Sequence, residues 1–281
     1  MMTTTLRPAE PLQNGPRGAL SRRFDVCVNS RPVGAIHLAT HERFGSAVGR
    51  IVSLEIDERD RRRGRGCVAA LAAEEVLRGW GCRRVEVSVP AGAAGALRLA
   101  TALGYSERSR FMSKPLPTEP PDLPEGTTGR PMTPDEFRIW DTEARGRYAR
   151  SMADLGLTEE EARARAAEDQ SAVLPEGLGT PDTYLGALTH SGAEAVGTIW
   201  IALNDVRIGT PCAYVLDIEV RHAHRGHGHG RSLMLLAERV ALAAGETRVG
   251  LNVFAGNAPA ERLYESLGYR PTAHHCFKTL L

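Results

Sequence analysis

No stretch of the 281 residues approaches the roughly 18 consecutive apolar residues that a membrane-spanning helix needs. An excess of charge of one sign is also missing. Lys+Arg number 35 and Asp+Glu 34, for a net charge of +1, so no global field draws the chain to nucleic acid or to an anionic membrane. A long acidic run, which would suit a polycationic partner, is absent too. The five cysteines (Cys27, Cys67, Cys82, Cys212, Cys276) show neither Cys-x-x-Cys nor metal-ligand spacing, so they are expected to be small buried thiols, with no metal bound. Residues 1–19 are polar and lack the apolar centre of a signal peptide, which predicts a disordered tail and a cytoplasmic protein. Two common phosphate motifs are missing: Gly-x-x-x-x-Gly-Lys-Ser/Thr, and Gly-x-Gly-x-x-Gly with its downstream acid.

What the chain does contain is a glycine-rich turn between two apolar runs. A β-branched stretch, Tyr214 to Val220, leads into Arg221-His222-Ala223-His224-Arg225-Gly226-His227-Gly228-His229-Gly230-Arg231, and a helix-like run, Ser232 to Ala244, leads out. Glycines permit positive φ, so successive backbone N–H groups can converge on one point. A helix start adds unpaired N–H groups and the positive end of its dipole. The order strand, glycine turn, helix therefore reads as a cradle for phosphate or pyrophosphate. Four histidines in this turn invite a metal reading, but no carboxylate or cysteine is interleaved with them, and imidazoles that touch phosphate fit better.

The pattern Arg-x-x-Gly-x-Gly at Arg225, Gly228 and Gly230 resembles the acyl-CoA pyrophosphate loop of the GNAT superfamily of N-acetyltransferases. A shift of 164 positions repeats it at Arg61, Gly64 and Gly66, and the match runs without a gap from Val52–Leu116 onto Leu216–Leu280. Glu55 falls on Glu219, Leu103-Gly104-Tyr105 on Leu267-Gly268-Tyr269, and Lys114 on Lys278. The chain thus reads as two copies of one unit. The basic cluster around Arg59, Arg61, Arg62, Arg63 and Arg65 coincides with the first loop and carries no interleaved aromatics, so it does not signal nucleic acid.

Periodicity and turn residues give the elements. In the first copy, Arg23–Val28 and Val33–Thr40 form a hairpin about Asn29–Pro32. They are followed by a strand Val48–Ile56, a helix Cys67–Arg78, a strand Arg84–Val89, a helix Ala94–Leu103 and a strand Tyr105–Pro115. A proline-rich linker follows over 115–130. The second copy adds two leading helices, one capped at Thr133 and running to about Leu155, one opened by the capping box Thr158-x-x-Glu161. Three strands, the loop, a helix, a strand, a helix and a last strand complete it. The expected fold is α/β: two tandem GNAT-like domains, each a mixed, mostly antiparallel central sheet flanked by helices. The expected bounds are a tail 1–19, a truncated, degenerate first domain 20–116, a linker 117–129 and a complete second domain 130–281.

The stretch from Asn257 to Tyr269 resembles the GNAT signature Asn-x-x-Ala-x-x-Leu-Tyr-x-x-x-Gly-Phe/Tyr. The resemblance implies acetyl transfer from acetyl-CoA to an amine by direct attack, with Tyr264 protonating the CoA sulfur and Asn257 holding the cofactor arm. It further implies cofactor contacts at Ile218, Val220, Arg225, Gly226, His227, Gly228, His229, Gly230 and Arg231. The first-domain loop, Arg61, Arg62, Arg63, Gly64, Arg65 and Gly66, is a second candidate. Asp217 and Glu219 lie two apart on one strand and so share a face. A carboxylate there, if partly desolvated, could take the amine's proton directly or through water, or the acids could be solvated or arginine-paired and structural. Phe137, Trp140, Tyr148 and Met152 recur at helical spacing and read as core; because this helix walls the acceptor pocket in the family, Trp140 or Tyr148 would contact substrate by resemblance. The first copy has Ser53, Ala93 and Ala100 where Asp217, Asn257 and Tyr264 stand, which makes it non-catalytic on this reading. The expected partner is a small-molecule or peptide amine, with no nucleic acid and no membrane, and the protein a monomer or homodimer. Two alternatives stand beside this one: a non-catalytic acyl-CoA-binding or regulatory module, and an acyltransferase for a longer acyl group.

Overall fold

The structure is a computed structural model that describes residues 4–41, 45–153, 157–192 and 194–280. The first repeat begins with β1 (Thr4–Pro8), β2 (Gln13–Asn14), β3 (Leu20–Val28), β4 (Arg31–His41) and β5 (Gly45–Ile56). It continues with α1 (Arg65–Gly79), β6 (Arg84–Pro90), α2 (Ala94–Ala102) and β7 (Ser106–Pro115). The second repeat holds β8 (Thr127–Pro131), α3 (Pro134–Ala153), α4 (Glu159–Val173), β9 (Thr183–His190), β10 (Ala195–Asp205) and β11 (Cys212–Val220). It closes with α5 (His229–Ala243), β12 (Arg248–Phe254), α6 (Ala258–Ser266) and β13 (Arg270–Thr279). The α/β class and the mostly antiparallel sheets flanked by helices agree with expectation. Leu155, the expected end of α3, lies outside the described residues. None of the described helices is long and apolar enough to cross a membrane.

Residues 1–19 were expected to be a disordered tail, and this is corrected. Thr4–Pro8 is a strand that pairs antiparallel with β3, Thr4 opposite Val28 and Pro8 opposite Phe24. Its sequence, Thr-Thr-Leu-Arg-Pro, has one large apolar side chain, so alternation gives it no signature. Leu6 packs against the buried core of the first unit, and pairing with β3 supplies the rest. The hairpin between β3 and β4 turns at Asn29 and Ser30, both with positive φ (48° and 67°), as a two-residue turn matched to strand twist requires.

The chain forms two compact units. One comprises Met1–Phe111, Val253–Ala258 and Pro271–Leu281, the other Met112–Asn252 and Pro259–Arg270. These units do not coincide with the two repeats, because the last strand of each repeat is exchanged. In the first unit the strand order is β1-β3-β4-β5-β6-β13, and β13 pairs antiparallel with β6 from Ala273↔Pro90 to Thr279↔Arg84. In the second unit β7 lies beside β12, in the order β7-β12-β11-β10-β9-β8. The closing hydrogen bonds are equivalent. Leu280 N–H donates to the Arg83 carbonyl and Leu116 N–H to the Thr247 carbonyl, each at 2.8 Å.

A buried ion pair fixes each exchanged strand. Lys114 on β7 donates to both carboxylate oxygens of Glu238 on α5, at 2.8 and 2.9 Å, and Glu238 is 1% exposed. Lys278 on β13 donates to Glu74 on α1 at 2.7 Å. Tyr269 adds a hydrogen bond to Glu238 at 3.3 Å, and Tyr105 sits in the equivalent place beside Glu74. Burial and the neighbouring carboxylate push both phenols far above their ordinary value. In the first unit α1 packs Ala69, Ala73 and Leu77 into a core with Val26, Ile36, Leu38, Val85 and Cys276. In the second, α3 packs Trp140 with Met132, Leu185 and Ala187. The five thiols are free, all buried except Cys67, which is half-buried.

Candidate active site

The site is built where β11 gives way to α5. β11 is paired with β10 as far as Val220, opposite Gly197, but its parallel pairing with β12 is confined to Ala213–Val215 against Val249–Leu251. From Leu216 onward that edge of β11 leaves the ladder. One residue past the last paired rung, the Asn252 side-chain oxygen is buried with no hydrogen-bond partner among the described residues.

After Val220 the chain makes a single 3-10 turn, His222–His224, and then the glycine loop. Gly226 (φ 82°) and Gly228 (φ 81°) both take the left-handed conformation that glycine adopts without steric cost. The loop is tied back by Arg225, whose Nε donates to the Val220 carbonyl at 3.1 Å. Gly228 is the N-cap of α5, so no side chain accepts from the first-turn N–H groups, and the first turn holds no acid. The contrast with α3 and α4 is instructive. Thr158 and Glu161 close a full capping box on α4, and Thr133 and Glu136 exchange the same two bonds at α3, at 3.3 and 2.8 Å. Those starts are satisfied internally; α5 presents its orphan donors outward.

Imidazoles surround this start. His229, 7% exposed, has the rings of His190, His224 and His227 at 5.3, 6.2 and 6.2 Å. Burial first, and then these three neighbours, hold its pKa below the usual 6.5. Among the described residues no group of three or more His, Cys, Asp or Glu could hold a metal. Burial is also the first cause of the lowered pKa at His37 and His275. Below pH 6.5 the unfolded chain therefore binds more protons at these positions than the folded one, so stability falls as pH falls. The melting temperature is expected to drop between about pH 7.5 and about pH 5.5 in scanning calorimetry. A flat profile would contradict the lowered pKa values of these three imidazoles.

The second part of the site lies on the face that Asp217 and Glu219 share. Arg147 of α3 joins them, Nη2 at 2.7 Å from Asp217 Oδ2 and Nη1 at 2.7 Å from Glu219 Oε2. Trp140 Nε1 donates to the same Asp217 oxygen at 3.1 Å. Both acids are thus paired with one arginine. Tyr264 of α6 is 6% exposed, and its pKa is raised to about 12, chiefly by burial and next by the charge of Asp217. Tyr264 and Asp217 therefore lie within electrostatic reach of each other.

The remaining expected residues are placed as follows. Ile218, Val220 and Gly230 are half-buried and His227 is exposed. Gly230 faces Leu263 of α6, so closely that an added Cβ would lie 3.2 Å from its Cδ2. Arg231 donates to Ser266 Oγ at 2.6 Å and so braces α6. Asn257 is exposed, and its N–H closes the preceding turn on the Phe254 carbonyl. Trp140 is only 3% exposed and is a core residue; Tyr148 donates to Asp169 at 2.8 Å.

The loop of the first repeat keeps the backbone and changes the charges. Gly64 caps α1 with φ 74°, and Arg62 takes φ 58° where the second repeat has Gly226. Arg61 Nε donates to the Ile56 carbonyl at 2.8 Å, as Arg225 does to Val220. Asp60, only 2% exposed, replaces His224. It accepts from Arg31 at 3.0 and 3.1 Å and pairs with buried Arg65. Arg63 and Gly64 are exposed and Gly66 is half-buried. Sequence reasoning counted the arginines here but missed their internal counter-ion. It also missed Arg147, whose position seven residues after Trp140, two turns along the same helix face, was the available signal.

The sequence profile described as the Acetyltransferase (GNAT) family matches this chain twice, over residues 7–105 and 148–269. An uncharacterized N-acetyltransferase of Bacillus subtilis, YycN, is 29% identical over 143 residues, which cover 50% of this chain and 91% of that protein. A mycothiol acetyltransferase of Beutenbergia cavernae is 28% identical over 292 aligned residues, covering 92% of this chain and 88% of the relative. Among solved structures, a GCN5-related N-acetyltransferase from Sphaerobacter thermophilus superposes with a TM-score of 0.58 at 19% identity, over 92% of this chain and 80% of that one, a likeness of fold.

Proposed function

The chain belongs to the acetyltransferase (GNAT) family, and from that premise we propose that its second repeat transfers an acetyl group from acetyl-CoA to a primary amine by direct attack. The observation that carries this reading is the uncapped, acid-free start of α5 behind two left-handed glycines. It suits a pyrophosphate, with Arg225 holding the loop's shape and His227 and His229 at its rim. The edge of β11 beyond Val215 and the orphaned Asn252 oxygen suit the amides of a pantetheine arm. Tyr264 is the proton donor to the leaving thiolate. Its raised pKa keeps it loaded at neutral pH. Glu219 or Asp217 takes the amine's proton. Ser53, Ala93 and Ala100 leave the first repeat without these groups, and buried Asp60, in the place of His224, sets a carboxylate against Arg65 at the start of α1, so we read this repeat as non-catalytic and not a CoA binder.

The acceptor of the Beutenbergia mycothiol acetyltransferase belongs in the first acceptor screen. The decisive experiment is an isothermal titration of the full chain with acetyl-CoA. One site per chain is expected. Gly228→Val should weaken it about tenfold or more, since a side chain at that φ costs about 1–2 kcal/mol and crowds the cradle. Gly64→Val should leave it unchanged. Absence of binding would overturn the acetyl-CoA reading, and two sites would restore the first repeat as a binder.

A further inference from the structure

The carboxylate pair on β11 raises a question that the acetyl-transfer reading leaves open: what form of the acceptor the site takes. Asp217 and Glu219 are 27% and 33% exposed at their side chains, and one guanidinium, itself 31% exposed, spans both. Each arm of Arg147 meets one oxygen of a different acid at 2.7 Å, so a single guanidinium bridges the pair. The trio of Asp217, Glu219 and Arg147 carries a net charge of −1. The indole N–H of Trp140 donates to the Asp217 oxygen that Arg147 also touches, which fixes that carboxylate from the core side. The charge of Asp217 also raises the pKa of Tyr264, so the pair lies within electrostatic reach of the group proposed to protonate the leaving thiolate.

We infer that Arg147 is a resident stand-in for the acceptor's ammonium group, and hence a specificity-determining residue. It holds the position that a protonated primary amine takes when the acceptor docks, and it withdraws as the acceptor enters. The inference rests on the acetyl-transfer reading given above. The substrate class it implies is an amine that arrives as a cation and carries no carboxylate beside it, because a second anion would face Asp217 and Glu219. The proton balance is closed. The ammonium gives one proton to a carboxylate and becomes the amine, and its nitrogen forms a bond to the thioester carbonyl carbon. The C–S bond breaks, the thiolate takes the Tyr264 proton, and the acetylated nitrogen gives up its second proton, which restores the Tyr264 phenol, while the carboxylate passes its proton to solvent. Tyr264 and the carboxylate return to their starting states with the net release of one proton to solvent.

A site whose open form is populated only in part binds its ligand more weakly by that fraction. Removing the stand-in should therefore tighten acceptor binding, the opposite of what losing a structural or acceptor-holding arginine would do. The variants are Arg147→Gln, Arg147→Met (which keeps the packing of the stem should the first not fold) and Arg147→Lys, which keeps a cation. Phenethylamine is the probe and 2-phenylethanol its uncharged isostere, with binding read by tryptophan fluorescence on the full chain saturated with CoA, which carries no acetyl group to transfer. For phenethylamine, Gln and Met are expected to lower Kd about tenfold, and KM with it where turnover is seen, with Lys within about twofold of wild type. The alcohol should be unaffected. An unchanged or raised Kd for the amine in Gln and Met, or an equal gain for the alcohol, would overturn the inference. Because binding is read without turnover, an enzyme that binds acetyl-CoA yet acetylates no amine would sink the proposed function, while the Kd comparison still decides the role of Arg147.

Discussion

Tyr264→Phe is expected to lower kcat by about 10²-fold or more, the usual worth of a positioned proton donor, while the Kd for acetyl-CoA stays within about twofold. The hydroxyl is the only group removed, and it lies in a buried setting where burial and the Asp217 charge disfavour the phenolate. A phenol held in this way does not lose its proton to solvent at neutral pH. It gives it up in concert with C–S cleavage, as negative charge builds on the departing sulfur beside it. The ring itself stays, and so does its T-shaped contact with Tyr269 at 6.1 Å, so the core should be undisturbed. The check is steady-state kinetics beside an acetyl-CoA titration. A kcat within threefold of wild type, with unaltered affinity, would remove Tyr264 from the chemistry. At the equivalent position the first repeat carries Ala100, itself buried, so the fold supports this helix without a phenol there.

Separating the repeats is expected to have the largest effect on stability. Residues 1–116 and 117–281, expressed alone, should each fail to fold, and the two expressed together should recover the native circular dichroism spectrum and melting transition. Each unit takes its last strand from the other repeat: β13 completes the first unit and β7 the second. A lone first repeat would leave Glu74 (4% exposed) without Lys278, and a lone second repeat would leave Glu238 without Lys114. Breaking one such buried pair costs about 3–5 kcal/mol, a large share of the roughly 5–15 kcal/mol that holds a domain together. Cooperative folding of either half by itself, seen as a sharp thermal transition, would contradict the exchange.

That exchange also marks the limit of what the sequence could tell. The gapless repeat and the turn residues made nearly every element legible, to within a few residues at the ends. The loop geometry was equally legible, because positive φ leaves its trace in glycine; only Arg62, which adopts the same conformation without being glycine, gave no sign. Strand partnership left no trace at all. Lys114 and Lys278 are equivalent positions, as are Glu74 and Glu238, so a straight pairing and a crossed pairing satisfy the same side chains. Near-symmetric sequence cannot choose between them. The β11 carboxylates were found because acids are conspicuous on an apolar strand, but their partner was not. An arginine on a helix already rich in charge looks like any solvated residue until the helix is laid across the sheet. Asp60 escaped for the same reason: within a run of arginines its burial is invisible.

The crossed strands also set a clock for the emerging chain. β6 is made by residue 90, yet its partner β13 is not complete until Thr279, and the ion pair that locks the two joins residues 204 apart. At a synthesis rate of roughly 5–20 residues per second, the first unit waits on the order of ten seconds or more with one sheet edge open. That edge reads Arg-Val-Glu-Val-Ser-Val-Pro, with a charge or hydroxyl at every second position and a proline at its end. Charges and proline are the devices by which natural edge strands avoid pairing with a neighbouring chain. The polar side chains of β6 thus protect the nascent protein during an interval that its own topology creates.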